Sequence, residues 1–273
     1  MSIRTDLISE ENIAGAAGFK TRTERIGGTE IQITEITDET AAKSVKKPCG
    51  KYCTVRFDRL DTVADTLPLR NAVIFALGEL LPDMNDNALV VGLGNADITP
   101  DALGPACAEQ ILATRHITDE LKRTLDLEGL HNVSCIVPGV LGKTGIEAMD
   151  IIKATAAATA PDVVLAIDAL AAKTPESLCR TIQLTDSGIA PGSGVKNERK
   201  ALNRQTLNVP VIAIGMPTVI DADCVTENTG NENMMVTPKE IDLLIKKSSS
   251  VIAGAINLFF QPELDAATIE SLS

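Results

Sequence analysis

Short apolar runs alternate with helix-like stretches along most of this 273-residue chain. The apolar runs have the length and composition of strands buried on both faces, and they are ALVVGLG (88–94), VSCIVPG (133–139), VVLAIDA (163–169) and VPVIAIG (209–215). Helical stretches lie between them at 106–115, 143–160 and 195–204. This alternation predicts an α/β fold with an open, mostly parallel or mixed twisted sheet that is flanked by helices on both faces.

The remaining segments follow other patterns. Further elements predicted from periodicity are strands at 29–37 and 52–57 and a helix at 64–81. The last helix is predicted at 237–260, because Thr237 suits an N-cap, Pro238 the first helical position and Glu240 the third position of a capping box. Residues 1–28 have no strong pattern.

Composition narrows the classes of function. Hydrophobic residues make up 44% of the chain but aromatic residues only 2%, so the core must consist of Ala, Val, Ile and Leu. A net charge of −12 argues against direct binding to nucleic acid, which needs Lys and Arg to neutralise phosphates. No apolar run of 18 residues and no secretory signal is evident, so we expect a cytoplasmic protein without a membrane segment whose six cysteines are reduced thiols.

Ligands of open α/β sheets bind beyond the carboxyl ends of the strands, so the segments that follow the strands are the candidate site. These segments are 95–105, 140–147, 168–173 and 186–194, and we expect them to converge on one crevice. The first has Asp97 where a dinucleotide fingerprint needs its third glycine, and Gly139 to Thr144 is no complete phosphate-binding loop. The glycines of 188–194 are equally consistent with an anion-binding nest and with a plain loop.

Carboxylates remain as candidates for chemistry. Neither histidine follows a strand at the carboxyl edge, and Cys49 and Cys53 have no partners for a zinc site, so no metal or cofactor is expected. Asp168 ends an apolar strand and Asp101 follows a proline after another, and each alone is explained by helix capping or hydrogen bonding. Two acids close together cannot both ionise easily, so one could activate water while the other protonates or polarises a carbonyl, as in metal-free peptide hydrolysis.

Several long motifs resemble the germination protease (spore protease) family of endospore-forming bacteria. They are VVGLGNADITPDALGP (90–105), PGVLGKTGIE (138–147), DALAAKT (168–174), TIQLTDSGIAPGSGVKNERK (181–200), VPVIAIGMPTVIDA (209–222) and NMMVTPKEIDLLI (233–245). The resemblance implies a fold like that of hydrogenase-maturation proteases and phosphorylases. It also implies an atypical aspartic endopeptidase that degrades small acid-soluble spore proteins in the spore core, forms a homotetramer and is made as a self-processing zymogen. The family's catalytic aspartates correspond to Asp101 and Asp168.

The resemblance gives the N-terminus a second interpretation. Taken alone, Thr5-Asp6-Leu7-Ile8-Ser9-Glu10 indicates a frayed terminus. Substrates of the family are cut after the acid in segments like Thr-Glu-(Ile/Phe)-Ala-Ser-Glu, so we expect self-cleavage between Asp6 and Leu7. Residues 1–6 would then be a propeptide and 7–273 a single α/β peptidase domain.

Recognition of an acidic residue at the cut site requires a positively charged side chain nearby. Lysine and arginine residues lie in or just after the candidate loops, and of these Lys196 or Arg199 is the candidate, although a solvated helix start is the more common explanation of such charges. Ser193 and the backbone amide of Gly192 are candidate donors to a developing oxyanion. The alternatives left open are a metal-dependent maturation-type protease, a phosphorylase-like transferase and a non-enzymatic binder of basic spore proteins.

Overall fold

A mixed, open β-sheet forms the centre of the molecule in the computed structural model, which describes residues 5–63, 65–81, 86–124, 127, 129–190, 201–225, 234–265 and 268–269. The strands in those residues are β1 (Phe19–Ile26), β2 (Thr29–Ile36), β3 (Gly50–Arg56), β4 (Asn87–Gly92), β5 (Asn132–Ile136), β6 (Val163–Ala172), β7 (Thr181–Thr185), β8 (Val211–Asp221) and β9 (Met235–Val236). Their order is β1-β2-β3-β7-β8-β6-β4-β5, and β9 pairs with β8.

The sheet has a parallel half and an antiparallel half. β5, β4, β6 and β8 are parallel neighbours, whereas β7, β3, β2 and β1 continue the sheet with antiparallel pairings. The predicted α/β class and the mixed sheet are confirmed. β1 was not predicted from the sequence. Its residues, FKTRTERI, include no fully buried position and therefore show no alternation of apolar and polar residues. A turn at Gly27 and Gly28, both with positive φ, joins β1 to β2.

Helices cover both faces of this sheet. They are α1 (Glu39–Val45), α2 (Leu67–Leu80), α3 (Leu103–Ala108), α4 (Asp119–Thr124), α5 (Leu141–Thr144), α6 (Ala148–Thr159), α7 (Arg204–Leu207) and α8 (Ile241–Phe260). The largest apolar cluster joins α2, α3 and α8 to one face of the sheet. On the other face α6 packs over β4 and β6, and α1 packs with Ile8 and Tyr52 beside β2 and β3. These two smaller clusters lie on either side of the middle of that face.

Four helix predictions need correction. Only the first three residues of the helix predicted at 106–115 are helical, because α3 ends at Ala108. α8 begins at Ile241 rather than Thr237, because the Thr237 hydroxyl donates to the carbonyl of Thr218 (2.7 Å) instead of capping the helix. The stretch 143–160 is divided between α5 and α6, with Gly145 at φ 68° in between. The predicted helix at 195–204 lies mostly outside the described residues, and α7 begins only at its last residue, where Asn203 forms a capping box.

α8 also bears on the expected absence of a membrane segment. It is the one helix in the described residues that is long and apolar enough to cross a membrane by length and composition. Much of its surface is buried against α2 and α3, as expected for the core helix of a globular domain.

Candidate active site

Asp168 lies inside a strand and not at its end. β6 continues four residues further, to Ala172, because the long strand β8 pairs with it throughout that stretch. Only 5% of the surface of Asp168 is exposed, and its Oδ1 accepts a hydrogen bond from the N–H of Ala169 (2.9 Å). The expected placement at the strand end was therefore wrong. A carboxylate within a buried strand costs free energy unless polar partners or a functional role compensate for it.

Asp101 follows β4 in a 3₁₀ turn, Thr99–Asp101. The N–H of Asp101 donates to the carbonyl of Ile98 (2.7 Å), and its own carbonyl accepts from the N–H of Asn95 (3.1 Å). The Thr218 hydroxyl of β8 donates to the carbonyl of Pro100 (2.6 Å) and ties the turn to the sheet. The N-cap of α3 is Ala102, so the interpretation of Asp101 as the cap of that helix is wrong.

Two glycines bring this turn against the sheet. A Cβ on Gly104 would overlap the carbonyl oxygens of Leu93 and Ile167, and Ile167 directly precedes Asp168. Gly94 has φ +110° and a Cβ there would overlap the carbonyl oxygen of Asp101. Only glycine permits such close backbone approach, so these positions hold the Asp101 turn beside β6.

Asp101 and Asp168 line a single cavity of about 760 Å³ on the sheet face between the α6 cluster and the α1 cluster. Three of the four segments expected to converge contribute to its described lining, at 98–101, 168–171 and 187–190. The fourth, 140–147, contributes none of the lining residues described. The two aspartates predicted from the sequence thus share one cleft at the crossover between β4 and β6.

The N-terminal segment Thr5–Glu10 enters this cleft. The N–H of Asp6 donates to the carbonyl of Ala171 on β6 (3.1 Å), and the N–H of Ala171 donates to Asp6 Oδ2 (2.8 Å). Leu7 and Ile8 are fully buried. The interpretation of residues 5–10 as a frayed terminus is therefore wrong.

Gln183 of β7 contacts the same segment on both sides of Leu7. Its Nε2 donates to the carbonyl oxygen of Asp6 (2.9 Å), and its Oε1 accepts from the N–H of Ile8 (2.8 Å). Gln183 is 6% exposed. Gln183 lies in the 181–200 motif, but its contact with the N-terminal segment spans 177 residues and could not be predicted from local pattern.

Glu10 anchors the far end of the segment. One carboxylate oxygen accepts from the N–H of Lys173 (2.8 Å), and the other accepts from the N–H and the hydroxyl of Thr174 (2.9 Å each). The Thr5 hydroxyl also donates to Glu10. Charge-assisted hydrogen bonds of this kind are about twice as strong as neutral ones.

Lys47 is a cation at the cleft that sequence reasoning missed. Its Nζ donates to the carbonyl of Thr5 (2.8 Å), and burial lowers its pKa, while the charges of Asp6, Glu11 and Glu10 act in the opposite direction. Lys47 lies between α1 and β3, away from the strand ends, and so had no motif to mark it. The four residues proposed for substrate binding lie outside the described residues: Gly192, Ser193, Lys196 and Arg199.

Tyr52 lines the same cavity and donates to the carbonyl of Pro48 (2.8 Å), while the Ser187 hydroxyl lies 3.0 Å from its oxygen. Burial raises the pKa of Tyr52 to about 12. Among the described residues there is no group of three or more His, Cys, Asp and Glu side chains suited to a metal ion.

We predict that tyrosinate absorbance in a pH titration will report this pKa directly, because the chain has one Tyr and no Trp. Half-ionisation should occur near pH 12 and not near the ordinary ~10. Since the folded state holds this proton more tightly than the unfolded state, stability from Tyr52 is complete below about pH 10 and is lost as the pH rises towards 12. A midpoint at the ordinary value in the folded protein would contradict the burial of Tyr52.

A cleft that holds a polypeptide segment and is lined by two carboxylates has the layout of a protease site. The germination protease family model matches residues 1–231, and the chain belongs to that family. It is therefore a hydrolase with a protease role in spore germination.

Individual relatives support the assignment. The germination protease of Clostridium tetani is 38% identical over 99% of both chains, and that of Caldanaerobacter subterraneus subsp. tengcongensis is 36% identical over 100% of this chain and 98% of its own. The germination protease of Geobacillus sp. is 41% identical over 84% of this chain and 66% of its own. A solved structure, the [NiFe] hydrogenase maturation protease HycI of Thermococcus kodakarensis, covers 66% of this chain and 98% of its own at 18% identity, with a TM-score of 0.39.

Proposed function

We propose that this protein is an endopeptidase that starts the degradation of small acid-soluble spore proteins and is made as a zymogen that removes its own residues 1–6. Residues 7–273 would then be the single peptidase domain, acting in the spore core as a homotetramer. The supporting observation is that Thr5–Glu10, a segment with the pattern of the family's substrates, lies in the cleft lined by both aspartates.

Asp101 and Asp168 act in this proposal as a general acid and base. One carboxylate takes a proton from water as its oxygen attacks the carbonyl carbon of Asp6, and the other carboxyl group supplies a proton towards the carbonyl or the departing amine. The burial of Asp168 and its place in the cavity beside Asp101 suit such an exchange of roles. No cofactor takes part.

The experiment follows the mass of the purified full-length chain over time, with and without a chelator. We expect a product that begins at Leu7 at the same rate in both samples, and cleavage of an added small acid-soluble spore protein after an acidic residue. A chelator that stops the reaction would favour the metal-dependent alternative. Salt-sensitive binding of the spore protein without any cleavage would favour the non-enzymatic binder.

Asp6 should be needed for this processing. Asp6→Ala removes the hydrogen bond from the Ala171 N–H, and a hydrogen bond to a charged group contributes roughly 1.5–3 kcal/mol, so we expect processing to slow by roughly 10- to 100-fold. Asp6→Glu keeps the carboxylate and should be processed within a few-fold of the wild-type rate. Equal rates for Asp6→Ala and wild type, measured by mass spectrometry, would contradict recognition of the acid at this position.

A further inference from the structure

One row of side chains crosses the sheet beneath the N-terminal segment. Asp168 of β6 pairs with Gly215 of β8, which pairs with Gln183 of β7, and the same row continues through Thr54 to Gln32 of β2. Directly paired residues place their side chains on the same face of a sheet. Asp168 and Gln183 therefore point to the same side, two strands apart.

The residue between them, Gly215, has no side chain, and the Leu170 side chain of β6 packs directly over it. A Cβ at this position would lie 2.6 Å from Leu170 Cγ and 2.8 Å from the Asp168 carbonyl oxygen. Glycine at this position leaves room for Leu170, while Asp6 is held by hydrogen bonds to Ala171 of β6 and to Gln183 of β7. The row thus carries an acid on β6 and, on β7, an amide that donates to the Asp6 carbonyl.

The amide of Gln183 is oriented by its two partners. The carbonyl oxygen of Asp6 requires a donor and the N–H of Ile8 requires an acceptor, so Nε2 faces Asp6 and Oε1 faces Ile8. These two hydrogen bonds hold the backbone of the segment on either side of Leu7. It is independent of the side chains of the bound segment and would serve any polypeptide that binds in the same register.

We infer that Gln183 binds and polarises the carbonyl of the peptide bond that is cut, a role that rests on the proposed self-cleavage after Asp6. As water adds to the Asp6 carbonyl carbon, the π electron pair moves to the carbonyl oxygen and the Nε2–H stabilises the resulting negative charge. When the C–N bond breaks, the oxygen returns its pair to carbon and the nitrogen of Leu7 leaves with a proton as an amine. Gln183 is then a further catalytic residue, one that donates a hydrogen bond and transfers no proton.

The test compares Gln183→Glu with wild type in the full chain, by mass spectrometry of the conversion to a product starting at Leu7. The variant keeps an acceptor for the Ile8 N–H but loses the donor to the Asp6 carbonyl, and loss of one oxyanion donor lowers rates by roughly 10²- to 10³-fold. Gln32→Glu is the matched control, because it lies in the same row but bonds Arg56 (2.9 Å) and does not contact the N-terminal segment. It should process at the wild-type rate.

A pH series separates this role from a purely structural one. The carboxyl group introduced by Gln183→Glu regains an O–H donor when it is protonated, near the ordinary ~4.3 of a glutamate or above it after burial. The ratio of the variant rate to the wild-type rate should therefore rise as the pH falls from about 7 to about 4. Gln183→Leu, which cannot donate at any pH, should show a low ratio throughout.

The outcomes distinguish the two proposals. Wild-type processing together with a Gln183→Glu rate equal to that of Gln32→Glu would overturn the role of Gln183 while leaving self-cleavage intact. A low ratio for Gln183→Glu that does not change with pH would also overturn it, since a packing defect would act alike at each pH. Failure of the wild-type chain to process at any pH would instead count against the proposed self-cleavage.

Discussion

Asp168→Asn should leave residues 1–6 attached to the chain under conditions in which the wild type loses them. The substitution keeps the size of the side chain and an oxygen that can accept from the N–H of Ala169, so the strand should keep its geometry. It removes the ability to take up or release a proton, which is typically worth roughly 10²- to 10⁴-fold in rate. Mass spectrometry of the two proteins side by side measures the effect.

Asp101→Asn should slow processing by a similar factor. When a general acid and a general base act in one step, loss of either residue costs about as much as loss of both. Asp97→Asn is the control, since Asp97 lies in the same loop but is exposed and pairs with Lys143. It should change the processing rate by less than about two-fold, as expected for an exposed ion pair. Normal processing of Asp168→Asn would remove the aspartate pair from the mechanism.

Gly104→Ala should destabilise the protein and also halt processing. The added Cβ meets backbone atoms of Leu93 and Ile167, which cannot move aside as a flexible side chain could. Overpacking of this kind typically costs about 1–3 kcal/mol, and we expect about 3 kcal/mol here. The thermal midpoint should fall by roughly 5–10 °C, and the Asp101 turn should move away from β6.

Gly78→Ala is the matched control for this substitution. Gly78 lies within α2 and a Cβ there has nothing within 4 Å. Alanine is favoured over glycine in a helix by about 1 kcal/mol, so this variant should be at least as stable as the wild type and process normally. A Gly104→Ala protein with wild-type stability would show that the turn can shift without cost.

The features of the fold that depend on local sequence pattern could be predicted from the sequence. The apolar runs that became β4, β6 and β8 carried the period and composition of buried strands, and a lone acid in such a run pointed to Asp168. The antiparallel strand β1 was missed because both of its faces are largely exposed. Strand length was also underestimated, since Asp168 lies inside β6 only because β8 extends beside it.

The polar contacts of the cleft could not be predicted from the local sequence pattern. Gln183 and Lys47 contact the N-terminal segment through hydrogen bonds between residues that are distant in sequence. Lys47 lies outside the long motifs, and Gln183 lies in the 181–200 motif but nothing in its local pattern indicates this contact. At Thr237 the local pattern was misleading. Its sequence context predicted a helix cap, but its hydroxyl instead donates a tertiary hydrogen bond to Thr218.

The anchoring of the N-terminal segment lies mainly downstream of the bond that we expect to be cut. Hydrolysis after Asp6 would leave the burial of Leu7 and Ile8 and the hydrogen bonds of Glu10 to Lys173 and Thr174 unbroken. The new amino terminus would remain tethered in the cleft at a high effective concentration and compete with any spore protein for the same site. Maturation by the proposed self-cleavage would therefore have two steps with separate rates, scission of the bond and departure of the new N-terminus. A burst of cut chain before the onset of activity on added protein would reveal the second step.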